Sequence, residues 1–234
     1  MIKAVLFDMD GVLYDSMLYH VQAWHETILS LGIDSNPDDY YLFEGMTGHA
    51  TIDILFNREY GHGATEKEKQ TIYAQKSGRF VELNCEPRPM PGAKEVLEIV
   101  KQSGAKRVLV TGSGQPTLFG NLDKDFPGSF EKGLMVTSYD VKFGKPHPEP
   151  YLLGLEKAGV TAEEALVVEN APLGVQSAVA AGIYTIAVNT GPLPDSVLSD
   201  AGARLIFPSM AALAEKIEDL LVKINPSASH FSLL

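Results

Sequence analysis

Short apolar runs punctuate the chain, and each halts at small or polar residues. Residues 2–7 (IKAVLF) end in DMDG, 107–110 (RVLV) in TGSG, 165–168 (ALVV) in ENAPLG, 184–188 (YTIAV) in NTGP and 204–207 (RLIF) in PS. Runs of this length predict buried strands. Between them, apolar positions recur at helical spacing. Val96, Leu97 and Val100 share one face of 93–102, which closes at Gly104; 150–158 precedes Gly159, 172–181 precedes Gly182, and 210–222 is apolar at the same spacing. Strands alternating with helices predict an α/β fold, a Rossmann-like parallel sheet covered on both faces. Ligands of such sheets sit at the carboxyl ends of the strands, so the polar strand ends predict a shared site.

One stretch breaks the alternation. Residues 18–31, 38–43, 50–60 and 66–83 all read as helices, with no buried strand among them. The chain returns through EPRPMPG at 86–92, whose prolines disfavour helix and suit a hinge. The expectation is a small α-helical cap over 17–86, inserted into a core made of 1–16 and 87–234. The final NPSASHFSLL, 225–234, is expected to be a loose tail.

Composition narrows the partners. The 234 residues carry a formal charge of −11 with 45% hydrophobic residues, enough chain for one large core plus an insert. The acidic balance argues against nucleic acid or an anionic membrane surface, which need cationic partners. No apolar run approaches the roughly 20 residues of a membrane helix. The first residues reach Asp8 too soon for a signal peptide, and the lone Cys85 excludes an internal disulfide or a multi-cysteine zinc site. A cytoplasmic protein, expected to be a monomer, fits these observations.

Four places carry candidate chemistry. Asp8 and Asp10 are two apart, so both can face one side at a strand end, where Gly11 lets the chain turn away. Their mutual repulsion calls for a proton or a cation. Thr111, Gly112 and Ser113 end the second run, where free backbone N–H groups can meet an anion. Lys145 sits in a proline-stiffened loop, FGKPHPEP, and could neutralise both carboxylates and an anionic substrate. Glu169 and Asn170 offer the oxygen donors that suit Mg²⁺. Singly, each has a plain structural reading: an acidic turn, a strand-to-helix turn, a surface lysine, a helix cap. Their order and placement are more specific than any one of them.

In that order the chain resembles the haloacid dehalogenase superfamily, in its phosphohydrolase and phosphomutase branch. FDMDGVLYDS is similar to the first family motif, VTGS to the second, KFGKPHPEPY to the third and VVENAPLGVQSAVAAG to the fourth. The helical insert resembles the family's small cap. The resemblance implies two-step phosphoryl transfer through an aspartyl phosphate. Asp8 is then the nucleophile. Asp10 is the acid and base, its pKa raised by Asp8. Mg²⁺ binds Asp8, the Asp10 carbonyl, Glu169 and Asn170. Thr111, Gly112 and Ser113 hold phosphoryl oxygens, and Lys145 offsets charge. Many relatives carry Asp at the position of Asn170, so one negative charge is missing here.

The cap refines the picture. SMLYHVQAW at 16–24 resembles the β-phosphoglucomutase group, with His20 and Trp24 on one helix face. His20 is either a substrate contact or an exposed neighbour of a packing Trp24. LFEGMTG at 42–48 aligns with the group's substrate loop, so Glu44 and Thr47 become candidate substrate contacts. True mutases carry Lys and Arg in this loop for a second phosphate; this chain has Glu44 and Gly48. EGMTG, VVENAPLGV and AVNTGPL resemble a bacterial branch that includes an inorganic pyrophosphatase. The expected function is a Mg²⁺-dependent phosphohydrolase of a small phosphorylated substrate, pyrophosphate first. The alternatives are conversion of β-glucose 1-phosphate to glucose 6-phosphate and a non-catalytic phosphate-binding module.

Overall fold

The computed structural model describes residues 1–114 and 116–224, the side chains of 116–119 excepted. The expected tail at 225–234 lies outside them. Among the described residues one sheet is formed by β1 (Ala4–Phe7), β2 (Lys106–Val110), β3 (Met135–Val136), β4 (Ala165–Glu169), β5 (Tyr184–Val188) and β6 (Leu205–Phe207). Every pairing is parallel, in the order β3-β2-β1-β4-β5-β6. β1 and β4 are buried along their whole length, as strands covered on both faces must be, which is why they read as unbroken apolar runs.

Side-chain alternation divides the sheet between two cores. Val5, Phe7, Leu109 and Val168 point to one face, where α5 (Ala93–Gln102), α10 (Met210–Ala214) and α11 (Ile217–Lys223) cover them. Ala4, Leu6, Val108 and Val167 point to the other, covered by α7 (Glu149–Ala158) and α8 (Pro172–Ala180). α6 (Pro116–Asp125) and α9 (Asp195–Asp200) complete the core helices.

Residues 17–83 carry α1 (Met17–Ser30), α2 (Asp39–Leu42), α3 (Gly48–Tyr60) and α4 (Glu66–Leu83). Thr47 caps α3, and Thr65 with Glu68 forms a capping box at α4. Between them these helices build a separate apolar cluster that includes Trp24, Ile28, Tyr40, Ile52 and Leu55. The two connecting segments run side by side: Asp15 N donates to Arg88 O at 2.9 Å and Met90 N to Leu13 O at 2.8 Å. The proline-rich return is thus extended and tied to the outgoing chain.

The expected fold class stands, with local differences. β3 is two residues long, too short to leave a run in the sequence. α9, six residues, also left no periodic signal. The single helix expected over 210–222 is broken at Lys216, whose φ of −124° leaves the helical region. The break keeps both halves against α5, burying Met210 and Leu213 from one and Ile217 and Leu221 from the other.

Candidate active site

The register of the sheet assembles the site. Phe7 lies beside Leu109 and Val168, so the residues just beyond them, Asp8, Val110–Thr111 and Glu169–Asn170, emerge at one level. Lys145 comes from the loop before α7 and is fully buried rather than a surface lysine. Its Nζ lies 2.6 Å from Asp8 Oδ1, 2.6 Å from Glu169 Oε1 and 3.2 Å from Val110 O. Three donors meet three acceptors, so the ammonium is completely used. The two carboxylates raise the Lys145 pKa against the burial that opposes it. Burial pushes the Asp8 carboxyl up to about 7; Lys145 pulls it down, while Glu169 and Asp10 push it up.

Glu169 has no exposure. Its Oε1 accepts from Lys145 and, at 2.8 Å, from the Tyr151 hydroxyl; its Oε2 accepts from Asn170 N at 2.9 Å and Ala171 N at 3.1 Å. Each oxygen therefore already meets two donors. A Cβ on Gly174 would sit 1.9 Å from Glu169 Oε1, so only glycine admits the carboxylate in this place.

Asp10 differs from the expectation that Asp8 would raise its pKa. Its Oδ1 accepts from Ser16 Oγ at 2.5 Å and lies 3.0 Å from His20 Nε2. Burial raises the Asp10 pKa, but His20, Ser16 and the charge of Lys76 outweigh it and hold it below the ordinary value. His20 Nδ1 lies 2.6 Å from Lys76 Nζ, and its ring stacks on Phe80 at 4.0 Å. His20 is thus not exposed; it lines the cavity between cap and core with its two nitrogens engaged by Asp10 and Lys76.

Thr111 Oγ1 accepts from Ser113 N at 2.9 Å, shaping the turn that Gly112 continues. Across it, Glu44 brings the cap onto the core: Asn170 Nδ2 donates to Glu44 Oε1 at 2.6 Å. Burial, with the charges of Asp8, Glu169 and Asp10, raises the Glu44 pKa well above its usual value despite that hydrogen bond. Glu44 therefore lines the cavity beside the acid cluster. Thr47 departs from expectation too. Its hydroxyl accepts from Ala50 N as the cap of α3, and its methyl lies where a Cβ on Gly144 would fall, so its first role here is structural.

The donor chemistry fits Mg²⁺. Asn170 Oδ1 is buried with no hydrogen-bond partner among the described residues, an acceptor awaiting a donor or a cation. A Cβ on Gly11 would fall 2.1 Å from the same amide, so the DMDG turn packs directly on it. Among the described residues no three His, Cys, Asp or Glu side chains form a ready cage. Mg²⁺ prefers a few oxygens plus water and substrate phosphate to an all-protein cage. Asp8, the Asp10 carbonyl and Asn170 would make up such a set, whereas the Glu169 oxygens already accept from four donors.

A cavity of about 70 Å³ lies between cap and core, lined by Asp8, Asp10, Thr111, Gly112 and Ser113 below and by His20, Trp24, Glu44, Tyr73 and Lys76 above. Lys76, Tyr73 and Tyr151 were not legible as site residues. Lys76 and Tyr73 sit in a long polar helix, and Tyr151 reads as an ordinary core aromatic.

Comparison with known proteins places the family. The family model described as haloacid dehalogenase-like hydrolase matches residues 2–182. A phosphorylated carbohydrates phosphatase of Thermotoga maritima is 34% identical over 86% of this chain and 92% of its own. Hexitol phosphatase A of Escherichia coli is 31% identical over 80% of this chain and 83% of its own. A solved structure described as a putative β-phosphoglucomutase from Bacteroides vulgatus superposes with a TM-score of 0.90 at 51% identity, covering 94% of this chain and 89% of the other. Fold, motif order and these likenesses agree: the chain belongs to the haloacid dehalogenase-like hydrolase family.

Proposed function

We propose that the protein is a Mg²⁺-dependent phosphohydrolase that works through an aspartyl phosphate on a small phosphate substrate, with inorganic pyrophosphate the first choice. The observation that carries the reaction type is the buried Lys145 ammonium, 2.6 Å from Asp8 Oδ1. It offsets the repulsion between an attacking carboxylate and a phosphoryl group. Asp8 attacks phosphorus as the bond to the leaving oxygen breaks. Asp10, which His20, Ser16 and Lys76 favour as the carboxylate in the substrate-free site, must first take up a proton as the anionic substrate binds and then hands it to that oxygen. Asp10 then takes a proton from the water that attacks the aspartyl phosphate, releasing phosphate and restoring Asp8. Thr111 and the Gly112–Ser113 backbone hold the phosphoryl oxygens. Asp8, the Asp10 carbonyl and Asn170 would hold Mg²⁺, which would supply positive charge to offset that of the phosphoryl group.

The size of the space supports a small substrate. One water needs roughly 10–15 Å³ of such volume, so the cavity holds on the order of five waters. That space opens to solvent and accommodates at least a small phosphate group. The space beside Gly48 is filled as well, since a Cβ there would lie 2.2 Å from the Tyr73 ring. A mutase's distal cation has no room at that position. The names of the Thermotoga and Escherichia relatives favour a second reading, hydrolysis of phosphorylated carbohydrates.

Phosphate release with Mg²⁺ from pyrophosphate, glucose 1-phosphate and hexitol phosphates tests the proposal. Pyrophosphate is expected to exceed the sugars in kcat/KM by about tenfold or more. The reverse order would establish the second reading, and glucose 6-phosphate from β-glucose 1-phosphate would establish the mutase. Asp8→Asn should abolish turnover; retained turnover would remove the nucleophile assignment.

A further inference from the structure

We propose that Tyr151 is a positioning residue of the phosphoryl-transfer centre: its hydroxyl fixes Glu169 and its ring seats Lys145, so that the ammonium is held on Asp8. Tyr151 has no solvent exposure. α7 carries it beneath the site, with its hydroxyl 2.8 Å from Glu169 Oε1 and its ring centroid 5.2 Å from Lys145 Nζ. One side chain thus touches both members of the ion pair beside Asp8. Burial and the charges of Glu169 and Asp8 raise its pKa well above the usual tyrosine value, so it stays a donor.

The hydrogen-bond accounting shows why the contact matters. Lys145 spends its three protons on Asp8, Glu169 and Val110. Glu169 spends its acceptor positions on Lys145, Tyr151 and two backbone N–H groups. The network closes with nothing left over. Without the tyrosine hydroxyl, Glu169 Oε1 keeps Lys145 as its one donor. The carboxylate then draws the ammonium toward itself and slackens the bond to Asp8. In this arrangement Glu169 organises the lysine and the 170–171 backbone, and metal affinity falls to Asp8, the Asp10 carbonyl and Asn170.

This inference rests on the proposed role of Asp8, and its test separates the two. Tyr151→Phe keeps the ring and the core volume and removes only the hydroxyl. Turnover is measured on whichever of pyrophosphate or the sugar phosphates the wild type hydrolyses fastest, and Mg²⁺ alone is titrated calorimetrically into the substrate-free protein. Tyr151→Phe is expected to lower kcat about tenfold, with KM and the Mg²⁺ dissociation constant each within about threefold of wild type. Tyr151→Leu, which also removes the ring from Lys145, should lower kcat further. An unchanged kcat with only a lower Tm would show a purely structural tyrosine. Mg²⁺ affinity weakening in step with kcat would show a metal-binding frame; either result overturns the proposal. Asp8→Asn in parallel tests the nucleophile, so an active Asp8→Asn sinks that reading whatever Tyr151→Phe does.

Discussion

Lys76 carries a charge in a place that resists one. It is buried, its Nζ 5.2 Å from the Trp24 ring centroid and 5.1 Å from that of Phe80, with His20 Nδ1 as its hydrogen-bond partner. Burial lowers its pKa from 10.5 to about 7, with Asp10 the opposing influence. A lysine whose folded value lies below its unfolded one opposes folding. That opposition is complete below about pH 7 and fades as pH climbs toward 10.5, because the unfolded chain binds more protons across that window. The wild-type protein should therefore gain thermal stability between about pH 7 and pH 9 relative to Lys76→Met, which should melt higher at pH 7. Melting curves of both proteins at the two pH values check this. Nothing in the local sequence marks this lysine, since His20 and Trp24 lie more than a helix away along the chain. Asp8, Lys145 and Glu169 were legible because strand ends and prolines frame them. That one ammonium bridges the two acids became visible only once the sheet register brought them to one level.

At the scale of elements, glycines set how closely the cap loop meets the core. A Cβ on Gly112 would stand 2.5 Å from Gly45 O, and one on Gly144 would stand 2.6 Å from the Thr47 methyl. Neither contact lies within the sheet or the core clusters. Gly112→Ala should thus be relieved by withdrawal of the cap and not by unfolding. The expected outcome is a fall in kcat/KM of about ten- to a hundredfold, a larger radius of gyration in solution scattering and a thermal midpoint little changed. Element types were readable where a period persisted: α4 occupies the expected 66–83 and α5 the expected 93–102. Periodicity failed where tertiary packing decided. Met210, Leu213, Ile217 and Leu221 are spaced for one helix, yet docking on α5 divides them between two.

For the whole molecule, the lone tryptophan is a reporter in a useful place. Trp24 lines the cavity and lies near the Tyr40 ring, with centroids 6.1 Å apart. Inorganic phosphate added with Mg²⁺ should produce a saturable change in tryptophan emission. A flat titration under conditions where calorimetry detects binding would place the anion elsewhere.

The apolar interior also has an unequal division. Ala23 and Phe80 belong to the large cluster under the sheet, whereas Trp24, Ile28, Ile52 and Leu55 belong to the outer one. α4 is therefore rooted through Phe80 and joins the outer cluster at Ile72, while α1 turns Ala23 to the sheet side and Trp24 and Ile28 to the outer cluster at the tip. New selectivity can be written into the outer tip by exchanging residues that never touch the sheet, while the rooted end preserves the chemistry beneath it. Divergence in what such proteins admit has a natural place to occur, and a library confined to the tip is where a laboratory should look for it.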